Sequence, residues 1–381
     1  MHVFSLVNVA PRRVVVAPAI GILAVALLLD VAIRNDPISV DFHTYLAAAQ
    51  VGLSQGWSNV YDQGLVMVEQ ELLVPGGRLQ PFLSPPLVAF AVSPLAALPY
   101  DTAYVVWALL MFVVLAATLA VSSVSTGAAR WIAVLGALTP WWVMHAVNVG
   151  QVVPLVAAGM VAGWRLLRDR RDVLAGVALA AMLFKPNTAL LVPLALLFMA
   201  RYRALAAWSA CAALALLAAL VILGPNGLAA YAGELRSPWP AGADRVTLYG
   251  AMAATGMVAG LLRVLIVGAV LSTAYRLRES PGLVIPLAII GSLLVSPYLH
   301  GADLCLLAAA GWMMWEERRT TGWRALLAVA WITASPFLYL RGESPELTQW
   351  PWLEIVLFLA LLAIAWSPLT GWGASRRRAP A

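Results

Sequence analysis

The sequence predicts an all-α polytopic membrane protein, a bundle of about 12 spans with short amphipathic helices on the surface after the first. Three observations carry that reading. Of 381 residues, 62% are hydrophobic and 11% charged, with a mean hydropathy of +0.86, whereas soluble domains carry roughly a quarter charged residues. Apolar runs of spanning length recur to the end of the chain, punctuated by Pro, Gly and short Arg-rich stretches. The basic residues are also gathered as orientation in a membrane requires. Arg12–Arg13, "RLLRDRRD" (165–172), "RYR" (201–203), "RLR" (276–278), "EERR" (316–319) and "RRR" (376–378) are all expected on the cytoplasmic side.

The first apolar segment, 14–33, is long and lacks an A-x-A exit, so it is expected to stay as an anchor. Further segments follow at 82–98, 103–122, 131–147, 151–167, 173–184, 188–200, 205–224, 250–275, 283–297, 302–315, 323–340 and 352–367. With both termini inside, these thirteen segments cannot all span. The excess falls among the three between 82 and 147: either 82–98, opened by "SPP" and closed by "LPY", is re-entrant, or two of them share a span. Segments 173–184 and 188–200 lie between two Arg clusters and should form a hairpin with "FKPN" (184–187) at its outward turn. "SPYLHGAD" (296–303) should occupy a second outward turn. The whole chain, 1–381, is expected to be one integral membrane domain.

Residues 34–81 hold five acids against two arginines and are placed outside as the first extracytoplasmic loop. Within it, "DFHTYLAAAQVGLSQG" reads as an amphipathic helix closed by Gly56, and "LVMVEQELLV" (65–74) as a second, ended by Pro75–Gly76–Gly77. Such helices lie in the headgroup region with their apolar faces down. A second outer loop, 225–248, carries "ELRSPWPAGADR" with Trp239 between two prolines.

The net charge of +6 reflects membrane orientation and predicts no nucleic-acid partner. Lysine occurs once, as Lys185, so the other 23 of the 24 basic residues are Arg. Cys211 and Cys305 lie in apolar runs and read as packed or lipid-facing thiols. The four histidines, His2, His43, His145 and His300, have no spacing that suggests zinc.

Ionisable groups at membrane depth suggest a site, and here the polar residues converge on the outer side. Asp41 opens the first loop helix, with Tyr45 one turn on over the same face. Asn148 and Gln151 form the boundary "NVGQ"; Lys185 sits in one outward turn, His300 and Asp303 in another. Each has a bland reading: Asp41 as a helix cap, Lys185 as a snorkelling side chain, Asn148 and Gln151 as interhelical hydrogen-bonding glue.

"VDFHTYLAAAQVGLSQGWSNVYD" (40–62) resembles the opening signature of glycosyltransferase family 87. "FLSPPLVAFAVSPLAALP", "NVGQVVPLV", "LAGVALAAMLFKPNTALLVPLALL" and "SPYLHGADLCLL" resemble further landmarks of that family in the expected order. The resemblance implies a GT-C-type bundle in the cell (plasma) membrane with its active site on the extracytoplasmic face. It also implies transfer of a hexose, in this family mannose from a polyprenyl-phosphate donor, with Asp41 as the catalytic carboxylate. By the same resemblance His300, in "SPYLH", is expected to match a functional histidine, with Tyr298 and Leu299 standing where many relatives have other residues.

The chemistry is consistent with these residues. Nucleotide sugars do not reach the outer face, so the donor must be carried in the lipid. Its leaving phosphate departs as an anion and needs no general acid, so one carboxylate suffices where glycosidases need two. Asp41 would act as general base on the acceptor hydroxyl, with inversion at the anomeric carbon. Lys185 and His300, with Gln151, Asn148 and Tyr298, would hold the donor and its departing phosphate. His43, Tyr45, Tyr61 and Trp239 are the expected acceptor or sugar contacts. No cofactor is expected, and with no D-x-D on the outer loops no metal either. The partners are then the polyprenyl-phosphate sugar, an envelope glycolipid or glycan acceptor, and membrane lipids. Arabinose or glucose would fit the same chemistry. A transporter or flippase of a lipid-linked sugar and a non-catalytic binder of polyprenyl phosphate are the competing classes.

Overall fold

A computed structural model describes residues 38–236, 247–252, 256–317, 322–325, 327–329, 331 and 350–367. Segment 14–33, Arg12–Arg13, Trp239, most of segment 323–340 and the 376–378 arginines therefore lie outside the described residues. Within them the chain is helical, with no strand. The helices are α1 (Val40–Gln55), α2 (Gln63–Leu73), α3 (Pro86–Val92), α4 (Tyr100–Ser122), α5 (Gly127–Leu138), α6 (Trp141–Asn148), α7 (Val153–Arg168), α8 (Asp172–Leu179), α9 (Leu191–Phe198), α10 (Tyr202–Glu234), α11 (Leu248–Ala251), α12 (Met257–Arg276), α13 (Pro281–Val295), α14 (Cys305–Glu317) and α15 (Trp352–Trp366).

By length and composition, α4, α10 and α12 can each cross a membrane. Their outward faces are apolar: Val113 on α4, Leu214, Leu217 and Val221 on α10, and Val264 and Leu265 on α12 are all well exposed. Apolar side chains in such continuous exposed faces fit a lipid surround. Shorter apolar helices accompany them, among them α5, α13 and α15. All fifteen residues of α13 are buried, as expected of a helix apolar on every side. It packs on α9, α12, α14 and α15 and forms the axis of the larger core.

Proline and glycine set the breaks. Segment 82–98 is a short helix that enters at Pro86 and runs into a 3-10 turn, Ser93–Ala97, before Pro99 opens α4. Seven α-helical and five 3-10 residues rise only about 20 Å together, too little for a span, which agrees with the expected irregularity there. Segment 131–147 is two helices, α5 and α6, because Pro140 cannot continue the first. The hairpin over 173–200 is present. α8 runs into a 3-10 turn, Ala180–Phe184, then Lys185 and the return helix α9. Arg201 and Asp172, 3.4 Å apart, close its base.

Two expectations need correction. The start of the expected second outer loop is helical: α10 kinks at Gly224, where φ is 65° and only glycine is comfortable, and continues to Glu234. More important, α1 is not a half-exposed surface helix. Eleven of its 16 residues are buried. Ala47, Ala48 and Ala49 are fully buried, and small side chains let neighbouring elements approach from several sides. Gly52 lies under Trp57, whose ring atoms come within 2.5 Å of where a Cβ would stand. Phe42 is fully buried against the rings of Tyr100, Tyr104 and Trp107, with centroids at 6.0, 6.0 and 6.1 Å. Burial of such a side chain contributes about 1.5–3 kcal/mol. By contrast, α2 buries only Val66 and Gln70, while Met67, Val68 and Leu72 are exposed.

Candidate active site

The site begins where two helix ends meet. The first N–H groups of a helix have no partner within it, and in α1 they find one across the fold. Ser39 N–H donates to the Asn148 carbonyl (2.8 Å), and Asp41 and Phe42 N–H both donate to the Val149 carbonyl (2.9 and 3.0 Å). The "NVGQ" turn at the end of α6 thus caps α1. Tyr104 Oη donates to the Asn148 carbonyl and Trp107 Nε1 to that of Gly150, both at 2.8 Å, pinning the turn from α4. Gly150 has φ +72°, and a Cβ there would lie 2.5 Å from that of Phe42. Glycine is required on both counts.

This junction brings Gln151 to Asp41. The Gln151 carbonyl oxygen accepts from the Tyr45 hydroxyl and from Val152 N–H (3.1 Å). With Oε1 committed to two donors, Nε2 faces the carboxylate and donates to Asp41 Oδ2 at 2.9 Å. Burial, and next the charge of Asp41, raise the Tyr45 phenol well above its usual range, so it stays a neutral donor. One carboxylate oxygen is therefore held and oriented by a neutral amide donor.

Across the cavity, Lys185 Nζ lies 2.6 Å from Asp303 Oδ1, with the two side chains 11% and 0% exposed. Burial of this kind requires a paired charge. Asp303 Oδ2 also accepts the His300 N–H at 2.8 Å, so one carboxylate orders both the lysine and the turn that bears the histidine. Asn187 Nδ2 donates to the Tyr298 carbonyl at 2.9 Å and ties the two turns together. The Tyr298 hydroxyl meets His300 Nε2. Burial and then the Lys185 charge lower the His300 pKa from 6.5, favouring the neutral imidazole. Burial also raises the Tyr298 phenol, keeping its proton on oxygen.

Apart from Asp303, which lies wholly buried behind Lys185, these side chains line one cavity of about 310 Å³, large enough for a small ligand or sugar ring. Of the residues expected in the site, Asp41, Tyr45, Gln151, Lys185, Tyr298 and His300 all border it. His43 does not: its Nε2 bonds the Gln70 carbonyl at 2.6 Å, between α1 and α2. Tyr61 is turned away, donating to the Ser84 carbonyl at 2.8 Å and stacked between Phe82 and Tyr231. Asn148 is buried beneath the site and serves it through its backbone carbonyl. None of these three expected contacts lines the cavity; His43 is held by the packing of α1 on α2, Tyr61 by its ring stack and Asn148 by its place under the first turn of α1. Trp239 lies outside the described residues.

The sequence reading missed Arg78, Asn187 and the stretch 78–85, which all line the cavity. "FKPN" contained a signal for Asn187, a polar residue beside the only lysine. For Arg78 only the turn "PGG" before it marked a change of direction. Among the described residues, no group of three or more His, Cys, Asp or Glu side chains is arranged to hold a metal.

Helices long and apolar enough to cross a membrane, packed beside a cavity that Asp41, Lys185 and His300 all border, fit a membrane protein. Residues 82–339 match the model of glycosyltransferase family 87, and the chain belongs to that family. It is thus a glycosyltransferase, which takes a sugar donor and an acceptor. No curated protein and no solved structure matches the chain. The matched region contains Gln151, Lys185, Tyr298 and His300; Asp41 precedes it.

Proposed function

We propose that the protein transfers a hexose, mannose in the reading favoured here, from a polyprenyl phosphate to an envelope glycolipid or glycan, with inversion at the anomeric carbon. The observation that carries this is the convergence of Asp41, Gln151, Lys185 and His300 on one cavity. Asp41, oriented by Gln151, takes the proton of the acceptor hydroxyl as that oxygen attacks the anomeric carbon. The bond to the donor phosphate breaks, and the phosphate leaves as an anion toward Lys185, where a preformed cation stabilises it with little reorganisation. Neutral His300 and Asn187 offer hydrogen bonds to the same group. The chemistry requires no acid for the leaving group.

In this reading the apolar helices belong to a GT-C-type bundle of about 12 spans, multi-pass in the plasma membrane, with the cavity facing outward. Lys185 at the tip of the α8–α9 hairpin, opposite the Arg201–Asp172 pair at its base, supports that orientation. The exposed apolar residues of α2 would rest on lipid at the cavity's side. The test is transfer of radiolabelled mannose from synthetic polyprenyl-phosphate mannose to a membrane lipid extract by purified protein. Asp41→Asn should lower the rate by about 10²–10⁴ while donor binding persists. Equal rates would remove Asp41 from the mechanism, and no transfer with any donor sugar would defeat the proposal.

A further inference from the structure

Residues 78–85 cross the cavity wall outside any helix, as a strap that bends at Ser84, all eight bordering the cavity. Pro81 and Pro85 fix their own φ, and Gln80 and Ser84, each before a proline, are restricted to extended backbone. Along the strap every second carbonyl is taken by a protein side chain. Gln70 Nε2 donates to the Gln80 carbonyl (2.7 Å), Gln63 Nε2 to that of Phe82 (3.2 Å) and Tyr61 Oη to that of Ser84 (2.8 Å). The same two glutamines accept in return, from Gln80 N–H at 3.0 Å and Phe82 N–H at 2.9 Å. Gln63 and Gln70 stand two turns apart on one face of α2 and together replace the neighbouring strand that an extended segment requires.

Successive carbonyls of an extended chain point to opposite edges. The other edge therefore belongs to Leu79, Pro81 and Leu83, and among the described residues none of their backbone groups is hydrogen-bonded. That edge offers three carbonyls but only two N–H groups, because Pro81 has none. An extended peptide would need the missing donor; a ring of hydroxyls supplies its own protons.

We infer that this free edge cradles the sugar of the acceptor, its hydroxyls donating to the carbonyls of Leu79, Pro81 and Leu83 in the cavity that Asp41 borders. Gln63, Gln70 and Tyr61 are then positioning residues that act through the strap. The inference rests on the glycosyltransferase reading of this cavity and places the acceptor within it.

Saturation-transfer NMR on the full chain in phospholipid nanodiscs tests it, with methyl α-mannoside, its monodeoxy analogues and a blocked tetra-alanine peptide as probes. Methyl α-mannoside should be saturated, and individual deoxy analogues should bind more weakly. Gln63→Met and Gln70→Met keep side-chain volume but release the strap; together they should weaken the sugar about tenfold, the scale of one lost net hydrogen bond. Binding of a short-chain polyprenyl phosphate should be unchanged, which also shows that the variant is folded. Tyr61→Phe, which keeps the ring stacking, should give a smaller loss in the same direction. Sugar binding indifferent to all three changes, or preferential saturation of the peptide, would overturn the inference. Transfer activity separates the two proposals. Transfer with strap-independent sugar binding defeats this inference alone; strap-dependent sugar binding without transfer from any donor defeats the enzyme reading alone.

Discussion

Lys185 and Asp303, 118 residues apart in sequence, form an ion pair at 2.6 Å whose carboxylate is wholly buried. The pair joins the tip of the α8–α9 hairpin to the turn before α14, the two elements that carry the cationic side of the site. Removing one partner leaves the other charge buried and alone, so Lys185→Ala or Asp303→Ala should each cost about 3–5 kcal/mol. The double substitution Lys185→Met with Asp303→Leu should recover much of that stability but not the transfer activity. Thermal unfolding in detergent beside the transfer assay checks this; a double variant with near-normal activity would mean that the lysine serves the fold alone.

Gln151 should govern the basicity of Asp41. Gln151→Glu places a second carboxyl within hydrogen-bonding range of the first, and such a pair shares a proton. The rate near neutral pH should fall about tenfold or more and recover as pH rises, so that the variant's profile departs from that of the wild type. The pH profile of kcat/KM for the two proteins is the measurement. A parallel profile would show that the amide does not set the carboxylate.

The lowered pKa of His300 makes acid a destabilising condition. In the unfolded chain the imidazole titrates near 6.5, and in the fold it titrates lower. As pH falls below that unfolded value, the unfolded chain takes up the proton first, so stability declines until the folded group also titrates. His300→Gln should flatten this part of the curve. Melting temperatures of both proteins between pH of about 7.5 and 5 would show it, and equal slopes would assign the acid sensitivity elsewhere.

Gly150→Ala tests the junction that creates the site. The left-handed φ would cost about 1–3 kcal/mol, and the new Cβ would press on Phe42, displacing α1 from the "NVGQ" turn. Both melting temperature and transfer rate should fall. Gly136→Ala, in α5 where a Cβ meets nothing within 4 Å, should leave both near wild type.

Much of this protein was legible in its sequence. Run lengths, Pro and Gly breaks and Arg clusters predicted the helical class, the α8–α9 hairpin and the turn at 296–303, because these depend on local hydropathy and on backbone rules that act within a few residues. Asp41, Lys185 and His300 stood out because ionisable groups are rare in so apolar a chain. What the tertiary structure decided was which surfaces meet. Local sequence marks α1 as a helix but does not reveal that Ala47–Ala49 admit neighbours closely enough to bury it, with His43 bonded to the Gln70 carbonyl and not facing the cavity. Nor does any local pattern reveal that the Val149 carbonyl caps α1 and so sets Gln151 against Asp41, 110 residues away. The strap at 78–85 is the clearest case. Its partners are two glutamines that look like ordinary polar positions on a surface helix, and their role exists only once an extended segment has docked beside them. Hydrogen-bond partners far apart in sequence are chosen by packing, and packing is a property of the whole chain.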